Sequence, residues 1–352
     1  MKNLLFLLLS LSVFNAQSQI AVTNTTPYNT AAQLVDNVLL GGGIIANNHS
    51  FIGDPNQIGF FNGINSNVGI DSGIVLSSGS ILDLIGPNAI GSTSTDYSSP
   101  GDVTLDAVTF PDPTNDAAVL EFDFIPTSDT LRFKYVFGSE EYLEFVNSYN
   151  DAFGFFLSGP NPSGGNYVDQ NLAIVPGTVN TAVTINNVNN VANPAFYVDN
   201  GDGFTAPQNT DPTVIQFDGF TTPLTAVAAV NCGDTYQIKL VVADVVDWSW
   251  DSGVFLEAGS FFSPELNVTD NLGIDSTVLD IPCGFEVILT ASAGAGATYE
   301  WYDSTATLVG IDSSIIVENG SYYVIASDIS GCGSVSDTFN VLAPLFALKD
   351  FT

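Results

Sequence analysis

Apolar and polar residues alternate along most of this chain with a period of two, the signature of strands with one buried face. The pattern is plainest over residues 117–137. Val119, Glu121 and Asp123 share one face of the first run, and Leu120, Phe122 and Phe124 share the other. After the turn PTSD at 126–129, Arg132 and Lys134 lie on one face, with Leu131, Phe133, Tyr135 and Phe137 opposite. This predicts a hairpin in which Ile125 pairs with Thr130, so that Asp123 faces Arg132 and Glu121 faces Lys134. Such cross-strand pairs contribute only about 0.2–1 kcal/mol each and serve mainly as register markers. Residues 237–242 alternate in the same way. One helical signal stands out over residues 30–40, with Thr30 as N-cap and Gly41 as the stop. Residues 86–115, rich in Gly, Pro, Ser, Thr and Asp, read as a long surface loop. The predicted fold class is all-β: a jelly-roll-like β-sandwich with long loops over residues 19–263, then a small Ig-like β-sandwich over 264–345.

Two stretches break the alternation in a similar manner. In KYVFGSEEYLEFVNSYNDAFGFFLSGP at 134–160, two aromatic strands flank a loop carrying Glu140, Glu141, Glu144, Asn147, Asn150 and Asp151, with no Lys or Arg. At 236–262, strands flank ADVVDWSWDSG, which places Asp244, Asp247 and Asp251 at spacings of three and four around Trp248 and Trp250. Each loop reads either as solvated surface or as part of a hard-cation site. Two acidic loops between buried strands can converge at one end of a sandwich and share an ion. All the side-chain donors are oxygens, so Ca2+ is the expected ion, and it would relieve repulsion that no local Lys or Arg screens. The expected metal ligands are Glu140, Glu141, Asp151, Asp244, Asp247 and Asp251, with Glu144 and Asp199 as second choices. The turn DNGDG at 199–203 lacks the spacing and the distal Glu of an EF-hand, and reads as a turn of residues with positive φ.

Charge sharpens this picture. The chain has 352 residues, of which 38 are acidic and 5 basic, a net charge of -33. That argues against nucleic acid and anionic membranes and suits divalent cations. Only 12% of residues are charged, and mean hydropathy is positive, so the chain is no acidic disordered tail. The single histidine, His49, removes most nucleophilic hydrolases and most zinc enzymes. Glycines 41–43 lack the Lys and the element order of a phosphate-binding loop. Residues 1–18, MKNLLFLLLSLSVFNAQS, have the charged start, short apolar core and Ala-Gln-Ser end of a secretory signal peptide. No later run reaches about 18 apolar residues, so no direct transmembrane insertion is expected. The expected location is secreted or at the cell surface.

A family resemblance rests on longer phrases. YVFGSEEY and NDAFGFFLSGP, with NLAIVPGTVNTAVTINNVN at 171–189, FDGFTTPLTA at 217–226 and YQIKLVVADVVDWSWDSGVFLEAGSFF at 236–262, resemble the choice-of-anchor L domain. DSGIVLSSG at 71–79 and DAAVLEFDFIP at 116–126 extend the likeness, which covers roughly residues 20–263. That domain occurs in secreted and surface proteins of Bacteroidetes-type bacteria. It is named for a choice of surface anchor and not for an activity, so the resemblance supplies positions without roles. ATYEWYDSTATLVG and NGSYYVIASDISGCGSVSDTF resemble the Ig-like or PKD-like modules of bacterial surface proteins, with Trp301 in the core. Cys283 and Cys332 fall near the ends of this module. A disulfide between them would close a loop of about 50 residues and add roughly 4 kcal/mol, and export permits it. Cys232 is then left over, buried and unreactive. Residues 346–352 form a tail where proteins resembling this one commonly continue into a C-terminal sorting domain, so the chain reads as a fragment or as one normally followed by another module.

The function these observations predict is an exported, non-catalytic surface or secreted module, stabilised by calcium, that binds an extracellular glycan or surface protein in an adhesive role. Tyr142, Tyr149, Trp248 and Trp250, beside carboxylates, suit stacking on sugar rings. One alternative is a passive spacer or matrix component. Another is a glycoside hydrolase pairing Glu140 or Glu141 with Asp151 or Asp251, which needs two carboxyls about 5–9.5 Å apart in a cleft. Clustered acids suit a cation better than one isolated acid.

Overall fold

The structure is a computed structural model that describes residues 19–263, 266–273, 277–280, 286–293, 297–327, 333–336 and 338–342. The expected signal peptide, the tail at 346–352 and both members of the Cys283–Cys332 bridge lie outside the described residues. Among the described residues the protein is built almost wholly of strands, in the sandwich class expected. Between residues 21 and 257 run β1 (Ala21–Thr23), β2 (Ile44–Ile52), β3 (Ile58–Asn62), β4 (Ser72–Ser77), β5 (Thr114–Pro126), β6 (Thr130–Ser139) and β7 (Ala152–Pro160). They are followed by β8 (Asn166–Asn171), β9 (Tyr197–Asp199), β10 (Gly219–Thr221), β11 (Leu224–Ala229), β12 (Tyr236–Val245) and β13 (Ser252–Glu257). One sheet has the order β1-β3-β4-β13-β6-β10-β9 with β11 also on β6, and a second has the order β2-β5-β12-β7-β8.

The expected hairpin at 117–137 does not form. β5 pairs with β2 and β12 in the five-stranded sheet, whereas β6 pairs with β13, β10 and β11 in the other. The turn at 126–130 is a corner between layers. Each of the two runs has one wholly apolar face, and facing them across the interior buries both, whereas laying them side by side would leave both needing a second layer. Phe133 of β6 meets Phe155 of β7 edge-on at 4.9 Å between ring centroids, and Phe137 stacks on Phe153 at 4.8 Å. The charged faces therefore point outward on opposite sides of the molecule. Lys134 pairs with Glu257 at 3.0 Å, Asp123 accepts from the Asn48 side chain at 2.7 Å, and Glu121 lies opposite Lys239.

The helix expected over residues 30–40 is present, but as an α turn followed by a π turn. Thr30 Oγ1 accepts from the Gln33 amide, capping a single α turn (Ala31–Leu34) that continues as a π turn (Val35–Leu39). It buries Leu34, Val35, Val38 and Leu39 in the main core. His49 lies on β2, with Nε2 at 2.9 Å from Asp36.

Both sheets are also covered on their outer faces near one end. Leu105 and Val108, from the loop after β4, lie over Val119, Ala152, Phe156, Val241 and Ala243. Ile81, Leu84, Ile215, Phe217 and Phe220 cover Val75, Val136 and Phe255 of the other sheet. Strand ends at 139, 152, 245 and 252 are consequently roofed. Among the described residues from 267 to 342, two more sheets form, of three and six strands. Their core surrounds the buried Trp301, whose Nε1 donates to the Asp312 carbonyl at 2.9 Å. Cys232, expected to be buried and left over, is half-buried and disulfide-bonded.

Because Phe133 fills the space between the layers, Phe133→Ala should lower unfolding stability by about 3–5 kcal/mol in denaturant titration. A double-mutant cycle with Phe155→Ala should show a coupling of about 0.5–1.5 kcal/mol. Strict additivity would contradict the face-to-face packing of β6 and β7.

Candidate cation centre

Antiparallel register brings the acidic loops together. Ala152 pairs with Ala243, so the next rung sets Asp151 opposite Asp244. Ser139 pairs with Ser252, so the next rung sets Glu140 opposite Asp251, and the Glu140 amide donates to the Asp251 carbonyl at 3.1 Å. Both sheets thus end in acids facing acids, an unfavourable pairing in itself. Of the six expected ligands, Glu140, Glu141, Asp151, Asp244 and Asp251 are buried at this end. Asp247 stands half-buried at its rim and accepts from the Ser249 amide at 3.1 Å.

Hydrogen bonding divides the buried acids. Asp151 is satisfied: Val245 N–H donates to Oδ1 at 2.8 Å and the Ser252 hydroxyl to Oδ2 at 2.7 Å. Asp251 accepts from the Thr95 amide at 2.9 Å and from Ser94 Oγ at 3.3 Å. The backbone has to come very close here, since a Cβ at Gly79 would collide with the Asp251 carboxylate. By contrast, both carboxylate oxygens of Glu140, Glu141 and Asp244 are buried with no donor in good hydrogen-bond geometry; Gln216 and Thr93 approach Glu140, the Asp151 backbone Glu141 and Ser78 Asp244 only loosely. A buried polar group without a partner costs about 1–3 kcal/mol, and more when charged.

Burial also dominates the titration behaviour. Glu140 and Asp244 are raised well above the usual carboxylate range, first by desolvation and then by acids around them: Asp218 and Asp251 for Glu140, Asp151 and Asp251 for Asp244. Glu141 and Asp151 are both raised, chiefly by burial. Asp151 acts further on Glu141, whereas the Ser252 and Val245 donors hold Asp151 down. Asp251 is raised by burial against the pull of the Thr95 amide. Among the described residues Lys134 is held by Glu257 and Lys239 by Asp102, and no Lys or Arg figures among the groups acting on these acids.

Two members escaped the sequence reading. Asp116 is fully buried, with its carboxylate taken by the Tyr97 and Ser99 amides. Asp218 is fully buried just before β10. Asn88 donates to its Oδ1 at 2.8 Å, Oδ2 has no donor, and burial pushes its pKa up to about 8. Its one mark in the sequence is position, an acid flanked by Phe217 and Phe220 at the start of a strand. The second-choice residues Glu144 and Asp199 are exposed and line a separate surface pocket of about 320 Å3 with Tyr142, Asp202 and Gln208.

The donor set fits a hard cation, being all oxygen, buried and partly unpartnered. It is not a preformed cage, because among the described residues no three His, Cys, Asp or Glu side chains converge at metal-ligand spacing. Of the expected sugar-stacking aromatics, Tyr142 is buried in the floor of that surface pocket and donates to the Val188 carbonyl at 2.8 Å, so its ring face is not open for stacking. Trp250 packs on Phe145 at 4.9 Å, and Tyr149 packs on the same ring at 5.5 Å. Trp248 remains 42% exposed. Among the described residues no helix is long and apolar enough to cross a membrane.

No curated protein matches the chain significantly. Among solved structures, the adhesin domain of Epf from Streptococcus pyogenes aligns over 88% of this chain and 98% of its own, at 9% identity and a TM-score of 0.19. A β-1,2-glucanase from Parabacteroides distasonis aligns over 67% of this chain and 33% of its own, at 11% identity and a TM-score of 0.15. A β-glucuronidase from Ruminococcus gnavus aligns over 86% and 46%, at 9% identity and a TM-score of 0.20. Likenesses at this level carry no argument about activity. The Choice-of-anchor L domain, in contrast, matches residues 21–262, the whole of the first sandwich with both acidic loops, and the chain belongs to that family of surface-anchor domains.

Proposed function

We propose that this protein is a non-catalytic extracellular binding module, with an adhesive role toward a glycan or surface protein, whose loop-bearing end is fastened by calcium. Membership of a surface-anchor family supports the extracellular setting. The observation that carries the cation is the set of buried, unpartnered carboxylates of Glu140, Glu141 and Asp244. A buried anion must be paired, protonated or bound to metal, and no basic side chain is in place to pair with these. Calcium supplies the missing charge and takes six to eight oxygens with tolerant geometry. Burial of the same acids beneath the loops at 79–95 disfavours hydrolysis, which needs carboxyls open to substrate. Ligand contact falls to the exposed loops around the centre, where Trp248 presents its ring.

Thermal unfolding with calcium and then with chelator tests the reading. Saturation at about 100 times Kd should add about 2.7 kcal/mol of stability. Glu141→Gln and Asp244→Asn should lose that increment, yet melt above the wild type in chelator, because each removes a carboxyl that burial forces to take up a proton on folding. Asp151→Ala should cost about 1–3 kcal/mol in chelator, since it strands the Val245 and Ser252 donors, and as an expected ligand it should lose the calcium increment as well. An unchanged melting temperature at millimolar calcium would sink the cation reading.

The pH dependence has a definite sign. These carboxyls have folded-state pKa values above the unfolded values near 4. Their contribution to stability is complete below about pH 4 and is lost as pH rises through the folded values, about 8 for Asp218. In chelator the melting temperature should therefore fall from about pH 5 to about pH 8.5. Calcium holds the carboxylates ionised, so its increment should grow over the same range, and Glu141→Gln should flatten that growth. A calcium increment independent of pH would count against these acids as its origin.

A further inference from the structure

Away from the acidic end, the sandwich has an open flank. Among the described residues β8 closes one sheet and pairs only with β7, while β11 pairs only with β6. A pocket of about 390 Å3 lies between these two margins, walled by β8, β11 and the loop at 172–179. That volume is in the range of small-molecule sites. Tyr167 spans the gap: its hydroxyl donates to the Ala229 carbonyl at 3.1 Å, which ties one margin to the other and holds the half-buried ring as a wall. The β11 wall lies opposite Thr130 to Lys134. It is therefore about 17 Å or more along β6 from Ser139, at about 3.3 Å per residue.

Two observations give the pocket a chemistry. Asn171 lines it in one fixed orientation. Its Oδ1 accepts from the Phe155 amide at 3.2 Å and the Ala173 amide at 2.9 Å, so the group cannot flip, and its buried Nδ2 is left as a donor with no partner. A ligand oxygen would satisfy it. The second observation is charge. No ionisable acid or base lines the pocket, in a chain with 38 acids. Asp169, between Tyr167 and Asn171, is turned to the Ser158 hydroxyl at 3.3 Å. Val227 pairs with Arg132 and Thr225 with Lys134, and all four are on the outer face, so both cations are direct cross-strand neighbours of the β11 wall. Lys134 is taken by Glu257. Arg132, the only arginine in the chain, is exposed and forms no ion pair among the described residues. Its planar guanidinium presents two parallel donors to a carboxylate or sulfate. The net charge of -33 repels an anion from most of the surface, which confines such a ligand to this flank.

We infer that the flank between β8 and β11 binds an acidic saccharide. The sugar lies against Tyr167 and the exposed Val179 and Val227, Asn171 Nδ2 donates to a sugar oxygen, and Arg132 donates to the carboxylate or sulfate. This rests on the reading of the protein as a binding module and deepens it to a ligand class and a place. It does not depend on the cation.

A glycan array of neutral, carboxylated and sulfated saccharides, probed with the full chain, is the first test. Calorimetric titration then compares the acidic saccharide retained with its neutral parent sugar. Retention on carboxylated or sulfated spots, with and without chelator, is expected and names the anion. The neutral parent should bind about ten-fold more weakly. Arg132→Gln should lose about the same factor, and so should Val179→Asp, which sets a like charge on an exposed loop. Both variants should keep the wild-type melting temperature. Retention of neutral saccharides alone, or binding untouched by Arg132→Gln, overturns the inference and leaves the binding-module reading standing. A preference for polyglutamate over every acidic saccharide also overturns it, making the occupant an acidic peptide. An array on which no acidic saccharide is retained overturns it outright.

Discussion

The architecture of the first sandwich turns on one constraint: carboxylates at the strand ends face one another across rungs and have been taken out of water. Coulomb repulsion at such separations is several-fold stronger under the loops than in solvent, and each ionised group also bears the cost of desolvation. Two of the acids meet that cost with donors. Asp151 engages the Val245 amide and the Ser252 hydroxyl, and Asp251 engages Thr95 and Ser94. Glu140, Glu141 and Asp244 have no donor in good hydrogen-bond geometry, only the more loosely placed polar groups of Gln216 and Thr93, of the Asp151 backbone and of Ser78 respectively. Protonation is one remedy and a cation is the other. The choice between them is set by pH and by the ion content of the medium, so the stability of this end belongs partly to its surroundings.

That end is also where the layers exchange chain. β4 leads to β5, β6 to β7 and β12 to β13, and each step passes from one sheet to the other. The acidic loops are these crossings. The cation proposed above would fasten sheet to sheet there, a different task from ordering a single surface loop. The outer-face cover supplied by Leu105 and Val108 on one side, and by Ile81, Leu84 and Ile215 on the other, keeps water from doing the same work.

How much of this was legible in the sequence follows from what local pattern can encode. Period-two alternation located the strands and assigned the inward faces of β5, β6 and β12, because burial of one face leaves a mark every second residue. It also identified Glu140, Glu141, Asp151, Asp244 and Asp251 as one group, since an acidic loop between two apolar strands has nowhere to go but a strand end. Pairing partners were not legible. A hairpin and an inter-sheet corner share the same alternation and the same Pro-rich turn, and only the competition for β12 and β13 decides between them. Asp218 was missed because its role depends on Asn88 and Glu140, far away in sequence. Tyr142 was misplaced because its hydroxyl finds the Val188 carbonyl, a contact between loops that no periodicity foreshadows.

The corner at 126–130 has a wider consequence. From β2 to β7 the chain changes sheet at every step but that from β3 to β4, so a partial chain cannot complete either layer alone. Each sheet waits for strands that arrive much later in sequence, as β5 waits for β12 and β4 for β13. Such topologies close long loops before they gain contacts and fold slowly and cooperatively. Completion of the first sandwich therefore waits on β13, the last of its strands, whose pairing with β4 and β6 closes the larger sheet.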